Sequence, residues 1–403
     1  MKKKLLFIGA YPPPYGGIAT HLYELLPELV KNGYDVISLT DTRSHEQTLQ
    51  CSGMKNLFIN SRKYFFKNIL MVSAYVVVYL RYKRDLSWKN FIKVVNFTLL
   101  VRQVAKKENI NTFFYYHIEE GLIIPILKKC FDSSCAHIWM IFGECYVTPE
   151  KYRGISRYLK NAFSQTDVIL ASSRYCADSI SIILGFNFPV EVIYIGIDDK
   201  KYLPSIQGDN LRNEMKIPFD APVFLFFGRM IRDMGVDFIL EVSDQLLHIH
   251  SNVHLVVAGA YGDFSNDVER LSKLEPRVHY CPDIPFERKI DYYASCNVFL
   301  APTLAKRACM GVSIKEAMAC GKPILASNSG GIPEAVEDDV NGYLIPFKDG
   351  KLDADIFINR ARQLINDQSL QIIRGKMGRQ KVLKLFTNDQ TIQKYLNILE
   401  RVL

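Results

Sequence analysis

The chain has 403 residues, of which 48% are hydrophobic and 23% are charged, and its formal net charge is +8. This length exceeds what one ordinary hydrophobic core accommodates and predicts two domains of about 150 to 200 residues each. The composition excludes an intrinsically disordered chain, a collagen and a long coiled coil.

The first 40 residues predict a strand, a loop, a helix and a second strand. The strand lies in KLLFIGA, the loop is YPPPYGG, and the helix is IATHLYELLPELVKNG, where apolar residues recur at helical spacing. Asn32 and Gly33 supply a helix stop, and the second strand begins at Asp35. This β-α-β unit predicts a parallel sheet.

Targeting signals and cysteine usage indicate the compartment. The apolar run that opens the chain ends at Pro12 and is too short for a signal peptide. The longest apolar run, residues 69–80, is shorter than the roughly 20 residues that cross a bilayer. The nine cysteines form no C-x-x-C pair, which favours reduced thiols over a disulfide framework or a zinc site. We therefore expect a cytoplasmic protein without a bound metal.

Residues 55–93 form a basic segment interleaved with aromatic and aliphatic residues. It contains one acid, Asp85, and these basic residues: Lys55, Arg62, Lys63, Lys67, Arg81, Lys83, Arg84, Lys89 and Lys93. Two interpretations remain open, a solvated helical face or a patch that lies on a membrane surface. Nucleic acid is not an expected partner, because no zinc-finger or RNP signature accompanies the charge.

The pattern of the N-terminal region restarts after residue 220. VFLFFG predicts a strand, RMIRDMG a loop, VDFILEVSDQLLHI a helix and HLVVAG the next strand. Residues 194–210 are polar and rich in turn residues, which predicts an interdomain linker. We expect a first Rossmann-like domain over residues 1–203, completed by a closing helix over 388–403, and a second over 204–387.

Four loops with glycine follow predicted strands and precede predicted helices. They lie within the stretches 11–21, 226–235, 307–323 and 327–336. Backbone N–H groups at a helix start can approach a phosphate, and an arginine can bind it through two hydrogen bonds. Each loop alone also fits an ordinary tight turn. Together they predict a ligand site at the carboxyl ends of the strands.

Glu316 is an acid in a short predicted helix, residues 312–320. Small neighbours such as Ala317 and Ala319 are typical of a tightly packed core helix. Packing does not account for an acid surrounded by predicted apolar strands, because carboxylates are rarely buried without a partner.

These motifs, together with YYASCNVFLAPT, GVSIKEAMACGKPILASNSGGIPEAV and NGYLIPF, resemble glycosyltransferase family 4 over nearly the whole chain. The resemblance implies an α/β GT-B fold with two Rossmann-like, doubly wound domains facing a cleft and a C-terminal helix returning to the first domain. It also implies retaining transfer of a sugar from a nucleotide-sugar donor, as substrate, without a metal or other cofactor. The second domain would bind the nucleotide, and the first would bind an acceptor that is often lipid-linked.

The resemblance also implies roles for individual residues. The donor-binding candidates are Gly16, Gly17, Arg229, Arg232, Gly311, Val312 and Glu316. Arg229 would bind the diphosphate, and Glu316 would accept hydrogen bonds from the ribose hydroxyls. Arg229 and His117 are the catalytic candidates. Cations and N–H groups directed at the leaving diphosphate meet the main physical requirement, because negative charge develops there.

Three positions depart from the family pattern. Ala308 stands where the first of two glutamates is expected, Met234 stands where a lysine is expected, and Phe142 stands where a histidine is expected. His117, in FFYYHIEEG, is a candidate substitute for that histidine, and simple packing is the other interpretation of it.

Lys306 and Arg307 precede Ala308. One hypothesis is that they favour an acidic donor sugar, and the other is that they are ordinary surface charges.

The sequence therefore predicts a cytoplasmic glycosyltransferase on the inner face of the cell membrane that extends a lipid-linked or surface-polysaccharide precursor. The alternative is a degenerate GT-B protein that serves as the partner subunit of an active glycosyltransferase, which the three departures favour. A nucleotide-sugar epimerase of the same fold is a third interpretation. No motif identifies the base, the sugar, the acceptor or the linkage.

Overall fold

The computed structural model describes residues 3–9, 11, 17–41, 47–51, 53–61, 80, 85–132, 134–305 and 309–403. The chain divides into two compact units. The first unit joins the residues up to Ile195 with Asn388–Leu403, and the second spans Gly196–Thr387. The first unit thus ends at Ile195, N-terminal to the boundary predicted at residue 203.

The first unit is built on an eight-stranded sheet in the order β3-β4-β2-β1-β5-β6-β7-β8. All neighbouring pairs are parallel except β3 and β4. The strands are β1 (Lys4–Ile8), β2 (Asp35–Asp41), β3 (Gln47–Cys51), β4 (Met54–Ile59), β5 (Thr112–Tyr116), β6 (Ala136–Ile141), β7 (Val168–Ala171) and β8 (Val190–Val192). The chain runs outward in both directions from β1, so the order reverses between β1 and β5. Ligands of open α/β sheets bind at such a reversal.

Helices follow the parallel strands of the first unit. The apolar positions predicted in the N-terminal helix, such as Leu22, Leu25 and Leu29, are buried against the sheet. Ser87 and Ser173 cap two of the helices by accepting the backbone N–H of Asn90 and of Cys176. The helices are α1 (Gly17–Lys31), α2 (Trp88–Glu108), α3 (Ile124–Cys130), α4 (Pro149–Gly154), α5 (Ser156–Phe163) and α6 (Arg174–Leu184).

The C-terminal helix, Asn388–Val402, belongs to the first unit, which confirms the predicted return of the chain. Its Tyr395 is fully buried. The Tyr116 hydroxyl donates to the Tyr395 hydroxyl at 2.7 Å, and His21 Nε2 lies 3.2 Å from the same oxygen. A buried polar triad therefore joins this helix to α1 and β5.

The second unit contains a six-stranded parallel sheet in the order β11-β10-β9-β12-β13-β14 and a small hairpin, β15 with β16. This is the 3-2-1-4-5-6 order of a dinucleotide-binding fold, with its reversal between β9 and β12. The strands are β9 (Val223–Phe227), β10 (His254–Gly259), β11 (Val278–Pro282), β12 (Val298–Ala301), β13 (Ile324–Ser327), β14 (Gly342–Ile345), β15 (Phe347–Lys348) and β16 (Lys351–Leu352).

The helices of the second unit cover its sheet and bury a core that includes Phe224, Val242, Leu255, Leu300 and Phe357. They are α7 (Asp209–Glu214), α8 (Val236–Leu247), α9 (Ser265–Leu274), α10 (Lys289–Ser295), α11 (Val312–Ala319), α12 (Ile332–Ala335), α13 (Ala354–Asn366) and α14 (Gln368–Leu385). The C-terminal helix of the first unit is α15. The two Rossmann-like sheets, the first parallel except for β3 and the second wholly parallel, confirm the predicted fold class.

The segment predicted to be a polar linker is packed over part of its length. Tyr202 is 1% exposed. Arg379 on α14 donates to the backbone oxygens of Tyr202 and Asp199 at 2.8 and 2.9 Å. The N-terminal residues of the second unit are therefore held on its helical layer rather than forming a free tether.

Candidate functional site

The loops that follow β9 and β12 meet at the reversal point of the second sheet. The N–H groups of Leu304 and Ala305 donate to the carbonyl oxygen of Asp233 at 3.0 and 3.2 Å. Gly235 has a φ of +79°, and a Cβ there would lie 1.9 Å from the carbonyl oxygen of Pro302. Glycine is therefore required at 235 both by the backbone conformation and by the close approach of the second loop.

The two arginines predicted at this point differ in their surroundings. The Arg229 side chain is exposed and makes no hydrogen bond or ion pair with any residue that the structure describes. Arg232 forms an ion pair with Asp237 at 3.2 Å and lies over the Phe264 ring at 5.9 Å. Arg229 is therefore available to an anionic ligand, whereas Arg232 already has a partner. Met234, at the departing position, packs against the apolar core.

Gly311 and Val312 lie at the start of α11, as predicted. Gly311 has a φ of +76° and precedes the first helical residue, Val312. The conformation favours glycine because an L side chain is strained at that angle. The structure thus supports a helix start after β12, with the N–H groups of its first turn at the same edge of the sheet as Arg229.

Glu316 is 1% exposed, and both of its carboxylate oxygens have partners. Oε1 lies 2.6 Å from Lys289 Nζ and accepts the Tyr202 hydroxyl at 3.1 Å. Oε2 accepts the Tyr293 hydroxyl at 2.6 Å. Burial and the nearby Glu316 charge raise the pKa of Tyr293 well above its usual value, so Tyr293 stays a neutral donor. The ribose role implied for Glu316 remains a prediction.

Sequence reasoning missed three residues of this site, namely Tyr202, Lys289 and Tyr293. They come from the start of the unit and from α10, far from Glu316 along the chain. A buried acid requires partners, so Glu316 itself signalled that a cation or hydroxyls would be found beside it. The spacing in the sequence does not say which residues supply them.

In the first unit, two predicted residues lie at the reversal point of the sheet. Gly17 is exposed and begins α1, the helix after β1, and His117 directly follows β5. Carboxyl ends of parallel strands share one edge, so both residues lie on that edge. Gly16, predicted beside Gly17, lies outside the described residues.

His117 has an unusual backbone, with a φ of +137°. Its N–H donates to the Met140 oxygen at 3.2 Å, and its own carbonyl accepts Trp139 Nε1 at 2.9 Å. Non-glycine residues rarely adopt such a φ, and strain of this kind concentrates at functional sites. Strand β6 therefore holds His117 in a conformation that local preference opposes.

The His117 ring lies between two carboxylates. Nδ1 is 3.7 Å from Glu120 Oε2, and Nε2 is 3.6 Å from Glu144 Oε1. Glu144 is itself fixed, because its carboxylate accepts the N–H of Ile118 at 3.1 Å and that of Phe142 at 2.7 Å. Phe142, which follows β6, is buried where a histidine is expected. The imidazole of this cluster is that of His117, which follows the neighbouring strand β5.

Glu120 completes this cluster. Its Oε2 is buried and accepts no hydrogen bond from the part of the chain that the structure describes. Burial raises the pKa of Glu120 to about 7, and the neighbouring His117 opposes that rise. At neutral pH Glu120 is therefore divided between its acid and carboxylate forms and can either donate or accept a proton. The sequence around Glu120 did not indicate that its carboxylate would be buried or its pKa raised.

Several sequence predictions fall on residues that are not described. They include Gly16, the positions 306–308 with Ala308, and the greater part of the basic segment 55–93. Among the residues that are described, no group of three His, Cys, Asp or Glu is arranged to hold a metal ion. No helix in those same residues combines the length and the apolar character needed to span a bilayer.

Two family models match the chain. The model described as Glycosyltransferase Family 4 matches residues 15–201, and the model described as Glycosyl transferases group 1 matches residues 221–367. A D-inositol 3-phosphate glycosyltransferase of Xylanimonas cellulosilytica is 30% identical over 203 residues, which cover 47% of this chain and 48% of that protein. The chain spans about half the length of the first curated relatives it matches.

Solved structures share the architecture. Sucrose-phosphate synthase from Thermosynechococcus elongatus superposes with a TM-score of 0.78 at 18% identity, covering 100% of this chain and 99% of that one. Anabaena HepE, solved in complex with UDP, gives a TM-score of 0.72 at 18% identity, covering 99% of this chain and 100% of that one. At these identities the likeness establishes the fold.

Proposed function

Because the chain belongs to glycosyltransferase family 4, with the GT-B fold, we propose that it is a retaining glycosyltransferase. It moves a sugar from a nucleotide-sugar donor to a lipid-linked or surface-polysaccharide precursor, and it works in the cytoplasm at the inner face of the membrane. The second unit binds the donor and the first binds the acceptor. No metal is needed in this proposal, because cations and N–H groups of the chain act on the diphosphate.

The observation that carries the proposal is the exposed Arg229, whose side chain pairs with none of the described residues, at the reversal point of a 3-2-1-4-5-6 sheet. This is where open α/β sheets bind nucleotides. A guanidinium matches two phosphate oxygens in its planar geometry. Together with the N–H groups at Val312, it can stabilise the charge that develops on the leaving diphosphate.

Other predicted residues also have roles in the proposed reaction. Gly16, Gly17 and Arg232 are proposed to bind the donor, as the family resemblance implies, with Arg232 held in its ion pair with Asp237. His117 is proposed to act at the acceptor side, because its ring lies at the carboxyl end of β5 with Glu120 and Glu144 beside it. Relatives named for inositol and phosphatidylinositol acceptors support a hydroxyl-rich or lipid-linked acceptor for this chain.

The test is release of nucleoside diphosphate from a panel of UDP-, GDP- and ADP-sugars by the purified full chain. The active donor should be turned over by the wild type, and Arg229→Gln should lower kcat/KM about 100-fold because one charged contact to the transition state is lost. Arg270→Gln, which removes an exposed arginine paired with Asp267 on α9, is the matched control and should not change the rate. Turnover unaffected in Arg229→Gln would overturn this assignment, and the configuration of the product sugar tests retention.

A second function is favoured by two described positions. Phe142 is 7% exposed and apolar where a histidine is expected, and the partly buried Met234 packs against the core where a lysine is expected. These substitutions support a partner subunit that binds a nucleotide without turning over its sugar. Nucleotide binding by the wild type, with no product from any donor in the presence of acceptor lipids, would favour this function over transfer.

A further inference from the structure

The carboxylate of Glu316 has no free oxygen. Three donors, from Lys289, Tyr202 and Tyr293, already bond to it, and its side chain is 2% exposed. A carboxylate provides about four lone-pair sites, so three are occupied inside the unit. Because three of the four sites are occupied, a ligand that reaches this point meets mainly the donors that surround Glu316.

Lys289 is one of those donors. Its side chain is 13% exposed against 2% for Glu316, so the ammonium is the more accessible end of the pair. Lys289 is the first residue of α10, and Nζ lies 5.8 Å from the centre of the Phe227 ring and 5.2 Å from that of Phe286. Aromatic faces attract ammonium groups, so the rings and Glu316 fix the position of the charge.

A second lysine lies on the same aromatic ring. Lys201 Nζ is 4.6 Å from the centre of the Phe286 ring. Two ammonium groups and one carboxylate give this cluster a formal charge of one positive unit. Phe227 ends β9, directly before Gly228 and the exposed Arg229, so the cluster lies at the same edge of the sheet as that arginine.

From these contacts we infer that Lys289 binds a phosphate of the nucleoside diphosphate and that Glu316 is the positioning residue that holds it there. The inference rests on the proposed nucleotide site. A buried carboxylate alone would repel a diphosphate, and Lys289 removes that repulsion while presenting donors for a charge-assisted hydrogen bond. Glu316 then acts through Lys289 in place of direct contact with the ribose.

The experiment compares diphosphates with their nucleosides. Titration calorimetry measures the Kd of the full chain for UDP, GDP and ADP, and for uridine, guanosine and adenosine. Lys289→Gln should weaken binding of the preferred diphosphate about 10- to 100-fold and leave binding of its nucleoside within twofold, because only the phosphate contact is lost. Lys289→Arg, which keeps the charge, should retain most of the affinity.

Lys273→Gln is the matched control. It also removes a lysine from a lysine–glutamate pair of the second unit, Lys273 with Glu269 at 2.7 Å, but on the exposed face of α9. Its affinities should equal those of the wild type. Because Lys289→Gln leaves a buried charge, the double variant Lys289→Met with Glu316→Gln removes both charges and keeps the test valid if the single variant does not fold. The double variant should show the same loss of affinity for the diphosphate and no loss of affinity for the nucleoside.

Three results would overturn the inference. The first is an unchanged Kd for the diphosphate in Lys289→Gln, and the second is an equal loss for diphosphate and nucleoside, which assigns a structural role. The third is tighter nucleoside binding, which means that Lys289 competes with the ribose for Glu316. A wild-type chain that binds none of the three diphosphates would instead overturn the proposed function itself, and the inference with it.

Discussion

The two units place charged side chains at the reversal points of their sheets, but they treat those side chains in opposite ways. In the second unit, Glu316 is buried with every oxygen bonded, and its charge is balanced by Lys289. In the first unit, His117 is held at a φ of +137°, and a buried oxygen of Glu120 accepts no hydrogen bond from the described residues. The Glu316 carboxylate has its partners without a ligand, whereas the His117 cluster retains backbone strain and, among the described residues, a carboxylate oxygen without a hydrogen bond. Such unmet preferences are typical of places where a ligand or a reacting group is handled.

The largest effect is expected when the carboxylate of Glu316 is removed. Glu316→Ala leaves the ammonium of Lys289 without its partner, which should lower the free energy of unfolding of the second unit by about 3–5 kcal/mol. Both tryptophans of the chain, Trp88 and Trp139, lie in the first unit. The urea concentration at the midpoint of unfolding should therefore fall when unfolding is followed by circular dichroism. The midpoint followed by tryptophan fluorescence should not change. Tyr293→Phe, which removes one neutral donor, should cost only about 1 kcal/mol, and equal losses in the two variants would contradict the account.

The strained backbone at His117 predicts that glycine at this position makes the first unit more stable than alanine does. Glycine tolerates a φ of +137° and alanine does not, so His117→Gly should be about 1–3 kcal/mol more stable than His117→Ala. Both variants lose the imidazole, so the difference isolates the backbone. Urea unfolding followed by tryptophan fluorescence measures it, and transfer activity should be lost in both. If the two variants unfold at the same urea concentration, the backbone at 117 is not strained.

Glu120 makes the stability of the first unit depend on pH. Its pKa of about 7 in the folded unit exceeds the ordinary value of 4.5, because burial disfavours the charged form. The folded unit therefore binds a proton that the unfolded chain releases, and stability falls by about 1–2 kcal/mol as the pH rises from 4.5 to 7. His117, Glu119 and Glu144 face the group and remain in Glu120→Gln, which should abolish this slope. If the stability of the variant still depends on pH in this range, the dependence comes from those neighbours and not from Glu120.

The second unit should respond to pH in the opposite direction. His254 Nδ1 lies 2.9 Å from His279 Nε2, and burial, followed by the charge of His254, lowers the pKa of His279 to about 4. The unfolded chain binds the proton first, so stability is lost as the pH falls from 6.5 to 4. We expect about 1 kcal/mol, because His279 is only partly buried and solvent screens its charge. In His279→Gln, the free energy of unfolding followed by circular dichroism should fall less between pH 6.5 and 4. Arg277 and Glu275 still face His254 in this variant. An unchanged pH dependence would contradict this assignment.

Particular elements show how far sequence reasoning reached. The strands in KLLFIGA and VFLFFG and the helices that follow them were predicted correctly because their apolar spacing is local. The return of α15 to the first unit followed from family resemblance and is confirmed. Glu316 stood out because a carboxylate among apolar residues has no packing explanation.

What the sequence did not reveal is non-local. Lys289, Tyr202 and Tyr293 reach Glu316 from segments that no periodicity relates to it. The raised pKa of Glu120 depends on burial by surrounding chain, and the φ of His117 depends on bonds to Trp139 and Met140 on the adjacent strand. Contacts of this kind arise only from the three-dimensional arrangement.

The position of α15 also has a consequence for biosynthesis. Tyr395 closes a polar triad with His21 and Tyr116, so residues separated by 374 positions must meet to finish the first unit. The second unit, Gly196–Thr387, is contiguous and has all its residues once position 387 has left the ribosome. Although domains usually fold in the order of synthesis, here the N-terminal unit must wait for the later one, with its sheet lacking one covering helix in the interval. Chaperone demand during translation should therefore concentrate on the surface that α15 finally covers.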